Sequence, residues 1–387
     1  MGTALTTLFA LTLLAPLATR ADAMEVAGQV RSFWISRQAA DTGPLATANA
    51  LQPGTAGVDA STAGAQAELH ASASLGAVQL HAHASLQSQK VEGSSADTQS
   101  RFNEAYAAGS ALGWQWSAGK KIVSWDVGYG FRPNDVVQQE VRRTLASETP
   151  EGRPLAMAEH FDADTAWSLV WVNPTQERSD TGAQEAALAA RVYWRNGAVD
   201  WHGFARQGEH TGTSVGAAAS WVASDALELH ASVRAGQQVL IGGTWTSESQ
   251  ISLLVEAWHD GSALTDNQWN DWSARNQAIP IWLSRGVPVA AVAGNLAWQG
   301  KAFGVSNSLR QDNLFVRLSW QQDRWQTALD VLYTPADQGT VTTASVVWSG
   351  ERFKLEAGLR AHGGPAHAVL RQLPVQRQGY AVATWAF

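Results

Sequence analysis

The chain has 387 residues, a net charge of −7 and a charged fraction of 16%, below the roughly 25% that is usual in soluble proteins. It contains 19 Trp and 34 Gly but no Cys, which excludes disulfides, lipid-modified cysteines and zinc–thiolate sites. Its basic residues are dispersed and have no stacking platform beside them, so the composition does not predict nucleic-acid binding.

The first element is an apolar run at residues 4–18, followed by Ala21-Asp22-Ala23. The run is too short to cross a bilayer, and the small residues after it form an A-x-A cleavage site. We therefore predict a signal peptide over residues 1–23, although no Lys or Arg precedes the run, and one mature domain over residues 24–387. Beyond the leader, no apolar stretch reaches the roughly 20 residues that a membrane helix needs.

Strand alternation is the dominant pattern in the rest of the chain. At the odd positions of residues 65–75 the side chains are Ala or Leu, whereas the even positions carry Gln, Glu, His and Ser. The alternation restarts after Gly76 over residues 78–87, so the two runs predict a β-hairpin with one apolar and one hydrophilic face. The same period of two returns at residues 227–234, 314–321 and 352–362.

Tryptophan positions indicate which face contacts lipid. Trp194 and Trp201 bracket the hairpin signal Asn196-Gly197. Other tryptophans that adjoin predicted turns are Trp221, Trp298, Trp320, Trp325 and Trp348. Indoles concentrate at membrane–water boundaries, where the apolar ring and the polar N–H each find their own solvent. A belt of Trp beside turns therefore predicts that the apolar face contacts lipid and that the hydrophilic face lines the interior.

Short and long connections alternate along the chain. Short ones are predicted at Gly76, Ala118-Gly119, Asp162-Ala163, Asn196-Gly197, Ser224-Asp225, Ser247-Glu248, Gly300, Gln322-Asp323 and Gly350. The main long loops are predicted at residues 37–63, 130–153, 260–287 and 363–376. Outer-membrane barrels combine short periplasmic turns with long extracellular loops. We therefore predict an all-β fold, a single transmembrane antiparallel up-and-down β-barrel with an even number of roughly 16 to 20 strands.

The hydrophilic strand faces supply the candidate pore residues. The predicted lumen-lining residues are Glu68, Arg191, Arg195, Arg206, Glu228, Arg234, Glu256, Arg317, Asp330, Arg352, Lys354, Glu356 and Arg360. Charges of mixed sign hold water and set ion preference in a channel, and the slight excess of Arg predicts a weak preference for anionic or polar solutes. The alternative is that Arg and acidic side chains only neutralise one another across strands.

Two long loops are rich in candidate residues. The loop that begins at Arg132-Pro133-Asn134-Asp135 is predicted to fold inward and form a constriction, with Arg132, Asp135, Arg142 and Arg143 as its candidate residues. Alternatively, Arg142 and Arg143 bind lipopolysaccharide phosphates. The loop at residues 262–284 holds Trp269, Trp272 and Trp282, and Thr265 or Asp266 is predicted to cap a short helix there.

Metal and catalytic sites were considered on the same faces. His70, His81 and His83 meet across the first hairpin, but no carboxylate completes an obvious ligand set, so we predict neither a metal nor another cofactor. No nucleophile motif such as G-x-S-x-G is present. Glu159-His160 and Asp162 are a weak hint of a rim protease, which loop solvation explains more simply. We therefore predict that the chain is not an enzyme.

Two stretches resemble known outer-membrane proteins. Residues 380–387 alternate and end with Trp385 and Phe387, which resembles the C-terminal signal that the barrel-assembly machinery reads in Gram-negative β-barrels. Residues 119–135 resemble a stretch of the alginate-export and related porin-like families, where a basic residue after Gly precedes W-G-x-G and a Pro–Asp loop. Asp126 stands here in place of the first glycine of that motif. The resemblance implies a porin-like barrel and a diffusion channel, and it transfers no binding residues.

The functional prediction is an outer-membrane channel for small polar or anionic solutes, or for an exported polymer. The alternative is a closed structural or binding barrel whose loops plug the mouth or bind an envelope partner. The expected partners are outer-membrane lipid and lipopolysaccharide, the assembly machinery and the solutes themselves. The sequence shows no interface stripe, and it predicts no oligomeric state.

Overall fold

The computed structural model describes residues 23–139, 149–178 and 182–387. Residues 1–22 of the predicted signal peptide, together with Arg142 and Arg143, lie outside these ranges. The described residues form 18 strands in one sheet. In chain order the strands are β1 (Ala23–Ala39), β2 (Ser61–Leu75), β3 (Val78–Val91), β4 (Asp97–Ala111), β5 (Trp114–Lys121), β6 (Arg153–Phe161), β7 (Thr165–Val172), β8 (Ala187–Asn196), β9 (Val199–Gly208), β10 (Gly212–Ser224), β11 (Leu227–Arg234), β12 (Gln238–Thr246), β13 (Ile251–Asp260), β14 (Asp312–Gln322), β15 (Trp325–Thr334), β16 (Gly339–Ser349), β17 (Phe353–Gly363) and β18 (Val375–Ala386).

The sheet closes on itself into a barrel. Each strand pairs antiparallel with its neighbours in sequence, and β1 pairs with both β2 and β18. The closing register places Gln29 opposite Ala386, and the backbone groups of Gly28 and Phe387 also hydrogen-bond to each other. The predicted fold class, an up-and-down antiparallel barrel with an even strand number, is confirmed. Closure satisfies the backbone of every strand, as a membrane-spanning sheet requires.

The strand period of two separates an apolar outer face from an inner face. On β14 the outward side chains Leu314, Leu318 and Trp320 are exposed, whereas the inward Phe315 is 2% exposed. The same rule holds for β7, where Leu169 is exposed beside the buried Val170. The predicted orientation of the faces is therefore confirmed, and the barrel presents an apolar belt that fits a lipid bilayer.

One end of the barrel, here called the turn end, carries eight short turns between strands. Exposed tryptophans that lie on or next to this end are Trp114, Trp167, Trp194, Trp201, Trp221, Trp245, Trp320, Trp325 and Trp385. The opposite end, the loop end, carries the long connections together with three short ones, at residues 209–211, 235–237 and 335–338. Exposed indoles at a membrane boundary and long loops at one end are features of outer-membrane barrels.

The predicted turn at Ala118-Gly119 is wrong. The turn that joins β4 to β5 lies at Leu112-Gly113, and Gly119 pairs with Tyr106 inside the sheet. A Cβ at Gly119 would lie 2.3 Å from the carbonyl oxygen of Ala105. The glycine therefore permits a close approach of two strands and does not mark a turn.

The predicted turn at Gly300 is also wrong, and the loop predicted to end at residue 287 continues to residue 311. In this stretch Val289–Trp298 forms a helix. Val292, Ala293 and Leu296 follow the helical spacing and are fully buried. A helix therefore lies where the predicted turn at Gly300 would have joined two strands, and the barrel has 18 strands, within the predicted range.

Three helices cover part of the loop end: α1 (Gly43–Leu51), α2 (Asp266–Ala278) and α3 (Val289–Trp298). Thr265 caps α2 as predicted, because its hydroxyl accepts the Gln268 N–H while the Gln268 side chain accepts the Thr265 N–H. Helices α1 and α3 pack against each other through Ala48, Val292 and Leu296. In the part of the chain that is described, no helix is long and apolar enough to cross a membrane.

Candidate functional site

A long connection inside the barrel is the main feature of the interior. Residues 122–139, here called the inward segment, follow β5 without regular secondary structure. Val123, Trp125 and Val136 pack on the inner faces of β6 to β10, where Val170 and Phe204 are among the buried contacts. Burying these apolar side chains keeps the segment against the inner wall of the barrel.

The inward segment reaches across to β13 and β14. The Glu256 carboxylate accepts the backbone N–H groups of Tyr129 and Gly130, each at 2.6 Å. His230 Nε2 lies 2.9 Å from Oε1 of the same carboxylate. Glu256 is 0% exposed, so these charge-assisted bonds lie in a dry contact, where they are strong.

Two glycines allow this close approach. A Cβ at Gly130 would lie 2.9 Å from Oε2 of Glu256. A Cβ at Gly128 would lie 2.0 Å from the Phe131 carbonyl oxygen and 2.4 Å from Leu240. A side chain at Gly128 would collide with backbone and shift the segment, whereas a side chain at Gly130 would push against the Glu256 carboxylate that docks it.

The Asp135 carboxylate organises the segment internally. It accepts the backbone N–H groups of Trp125 and Asp126, at 2.8 and 3.0 Å, and the Ser124 hydroxyl. Arg132 donates to it through Nε at 2.7 Å. Both members of this ion pair are almost fully buried, so the two predicted constriction residues hold the shape of the segment together.

Asp126 fastens the segment to β11. Its carboxylate accepts the Ser232 hydroxyl at 2.7 Å and the Asn134 backbone N–H at 2.5 Å. Burial and the nearby Asp135 raise the pKa of Asp126, and the hydrogen bonds act against that rise. The Asn134 side chain also donates to Ser232 and to the Val233 carbonyl. Sequence reasoning missed these anchors because their partners are distant in the chain.

Most of the predicted lumen-lining residues lie on inner strand faces. These are Glu68 on β2, Arg191 and Arg195 on β8, Arg206 on β9, Glu228 and Arg234 on β11, Glu256 on β13, Arg317 on β14, Asp330 on β15, and Lys354, Glu356 and Arg360 on β17. Arg352 differs, because it is exposed in the turn that precedes β17. Glu256 lies on the inner face of β13 but does not line open space, because the inward segment covers it completely.

Several inner-face charges are paired across the wall. Arg317 lies 2.9 Å from Asp330 on the neighbouring strand. Arg206 lies 2.7 Å from Glu185 at the loop end. Other arginines donate to neutral groups: Arg191 to His202 Nδ1 at 3.3 Å, and Arg234 to the Pro133 carbonyl and the Ser214 hydroxyl. The interior therefore combines neutralised pairs with arginines bound to neutral acceptors.

The inner faces of β2 to β4 form a polar wall outside the apolar contact of the inward segment. A cavity of about 190 Å³ lies there. Its lining is made of amides, hydroxyls and charged groups: Gln66, Ser85, Gln87, Gln89, Asp97, Gln99, Arg101, Asn103 and Thr149. A second cavity of about 190 Å³ is bordered by Asp330, Thr343, Arg360 and His362, and by loop residues. The two cavities lie on different parts of the inner wall.

Glu185 links the β7–β8 and β9–β10 connections at the loop end by hydrogen bonds. It is 1% exposed and accepts the N–H groups of His210 and Thr211 as well as the guanidinium of Arg206. Burial alone would raise the pKa of Glu185, but the Thr211 hydroxyl, the backbone N–H groups and Arg206 lower it from 4.5 to about 2.

We expect Glu185→Gln to lower the free energy of unfolding by roughly 1.5–3 kcal/mol at neutral pH, which is the range for hydrogen bonds to a charged group. Because the pKa is lowered in the folded state, this stabilisation is fully present above pH 4.5. It is lost as the pH falls toward 2 and the carboxylate becomes protonated. Thermal unfolding in detergent from pH 7 to pH 2 measures the effect. The wild type should approach the variant in stability at the acid end. Glu209→Gln is the control, because Glu209 is exposed in the β9–β10 connection that Glu185 contacts. An equal loss in both variants would contradict the assignment.

No family model and no curated protein matches the chain. Among solved structures, Pseudomonas aeruginosa OccK5 (OpdH) aligns with a TM-score of 0.56 at 8% identity, covering 95% of this chain and 99% of that one. A mutant of Rhodopseudomonas blastica porin aligns with a TM-score of 0.48 at 11% identity, covering 94% and 100%. The likeness to OccK5 concerns the fold, which is the closed barrel described above.

Proposed function

We propose that the protein is an outer-membrane channel through which small polar or anionic solutes, or an exported polymer, pass by diffusion. The observation that carries the proposal is the inward segment, which narrows the lumen from one side while the wall of β2 to β4 stays polar. The apolar outer face and its tryptophan belt support insertion in a bilayer. Selection is then by size and charge, and no covalent step is needed.

The primary test is reconstitution of the purified chain into planar bilayers. Discrete conductance steps are expected, and liposome swelling with sugars and organic acids of graded size should give a size limit. Absence of both would contradict the channel. It would favour the second candidate, a closed barrel that binds an envelope partner, for which the packing of α1 against α3 at the loop end is the supporting observation.

The charge preference is tested by reversing two inner-face arginines. Arg191 and Arg360 lie on β8 and β17, and both are half-buried. We expect Arg191→Glu combined with Arg360→Glu to shift permeability toward cations. A unit charge about 4 Å from a passing ion changes its energy by about 1 kcal/mol in water, so reversing that charge changes it by about 2 kcal/mol, roughly 30-fold per site. Reversal potentials in a salt gradient measure it.

Two further variants make this measurement decisive. Glutamine at both positions should give about half the shift in free energy, because it removes the charge without reversing it. Arg324→Glu changes the same charge in the turn between β14 and β15, outside the strands, and should have little effect. Equal shifts for Arg324→Glu and the double variant would show that the arginines do not act inside the pore.

The proposed partners follow from the same surfaces. Lipid and lipopolysaccharide would contact the outer belt. Trp385 and Phe387, whose exposed rings lie 5.1 Å apart on the closing strand, are the proposed contact for the assembly machinery. We also propose that residues 1–23 are removed as a signal peptide, and that the mature barrel has no enzymatic activity.

A further inference from the structure

Three side chains on the inner wall of β2 and β3 converge at one point. His70 and His83 are direct partners in the β2–β3 register, and their rings stack with centroids 3.7 Å apart. Glu68 lies two residues before His70, hence on the same face of β2. Its Oε2 atom is 3.3 Å from His83 Nε2 and 4.0 Å from His70 Nε2. The carboxylate that the sequence pattern lacked is therefore present.

We propose that Glu68, His70 and His83 form a binding site for a divalent transition-metal ion of the Zn²⁺ type. One ligand atom from each residue lies within 4.8 Å of the other two. Zinc bonds of about 2.0–2.1 Å in a tetrahedron place ligand atoms about 3.3 Å apart. The pair of Glu68 and His83 already has this separation. The His70 ring is stacked on His83 and its Nε2 atom is 4.0 Å from the carboxylate, so the ring must turn out of the stack for its nitrogen to complete the set.

The surroundings of the carboxylate hold it in a binding orientation. The Gln29 amide donates to Oε2 of Glu68 at 2.9 Å, and the Thr149 hydroxyl donates to Oε1. Glu68 and His83 are buried at 5% and 6% exposure. Such outer contacts fix the geometry of metal ligands and reduce the cost of assembling the site.

The third ligand gives an ion access. The His70 side chain is 52% exposed, and a cavity of about 330 Å³ borders His70, His83 and Tyr106. An ion therefore reaches the cluster without disturbing the wall. Two imidazoles and one carboxylate leave a fourth coordination position for water or for a donor atom of a passing solute.

The ligand types select the class of metal. Imidazole suits Zn²⁺, Cu²⁺ and Ni²⁺, whereas Ca²⁺ and Mg²⁺ prefer sets made only of oxygen. The other explanation for the cluster is that the histidines are counter-charges for a buried glutamate. That explanation predicts no saturable binding of zinc, and the two can be separated by experiment.

The test is isothermal titration of the refolded chain in detergent at pH 7.5 with Zn²⁺, and with Ca²⁺ for comparison. One Zn²⁺ per chain is expected, and Ca²⁺ should give no saturable binding. His70→Ala should weaken Zn²⁺ binding by more than about tenfold, because even an outer contact is worth about 10–100-fold. His70 is half exposed, so its removal should not prevent folding. His83→Ala and Glu68→Gln should weaken binding at least as much.

His81→Ala is the matched control. His81 lies on the same face of β3 but stacks on Tyr106 at 4.8 Å, away from Glu68, so its loss should leave Zn²⁺ affinity within about twofold of the wild type, a difference of roughly 0.4 kcal/mol. The proposal is overturned by absence of binding at millimolar Zn²⁺, by unchanged binding in His70→Ala, or by equal loss in His81→Ala. This readout needs no open lumen, so it is independent of the conductance experiments.

Discussion

Replacing Glu256 by alanine is expected to release the inward segment from β13 and to raise the single-channel conductance. The substitution leaves the N–H groups of Tyr129 and Gly130, and the ring of His230, without their buried acceptor. Removing one member of such a buried, charged contact costs about 3–5 kcal/mol. The segment should then leave β13 for only part of the time, because the apolar contacts of Trp125 still hold its other end against the wall.

Planar-bilayer recordings measure this effect as a larger and noisier open level. Glu356→Ala is the matched control, because Glu356 is also an inner-face carboxylate but accepts the Tyr380 hydroxyl at 2.9 Å on a different part of the wall. Its conductance should stay close to that of the wild type. An unchanged open level in Glu256→Ala would show that the segment does not limit the passage.

Asp135→Ala should unfold the inward segment locally while the barrel persists. The carboxylate holds two backbone N–H groups and the Arg132 guanidinium. Its removal leaves a buried arginine without its counter-charge, at a cost of about 3 kcal/mol or more. Hydrogen exchange at the amides of Trp125 and Asp126 should accelerate by about 100-fold, since exchange follows the free energy of local opening.

Asp97→Ala controls for the loss of an inner-face aspartate. Asp97 is exposed at the start of β4 and accepts the Gln99 amide. Exchange within the inward segment should be unaffected by its removal. The double substitution Arg132→Met with Asp135→Asn gives a further comparison, because it removes the unpaired charge. It should restore part of the protection if the buried arginine is the cause.

The barrel was predictable because the alternation of side chains is a local property. Strands β2, β3 and β14 are 11 to 15 residues long, and the alternation of apolar and polar side chains is visible within each of them. The tryptophans next to turns then identify the face that contacts lipid. The helix at Val289–Trp298 was missed because a short apolar run fits a strand as well as a buried helix. Its Val292 and Leu296 pack on Ala48, which is distant in sequence.

The interior was predictable only in part, for a related reason. The sequence placed Arg132 and Asp135 in an inward loop, but the residues that dock this loop are Glu256, Ser232 and their neighbours on β11 to β13. The partners are more than 100 positions apart, and no local pattern connects them. The histidine cluster lacked a carboxylate in the sequence reading because Glu68 was assigned to the pore wall alone.

The packing of α1 on α3 has a consequence for the order of assembly. Helix α1 follows the first strand, whereas α3 lies between β13 and β14, with the five strands β14 to β18 between it and the β1–β18 seam. We expect the two helices to come together after β18 has joined β1, because closing the seam brings the connections that carry them to the same side of the barrel. Their packing therefore spans the β1–β18 seam, and it links the first and final thirds of the polypeptide once the barrel is closed.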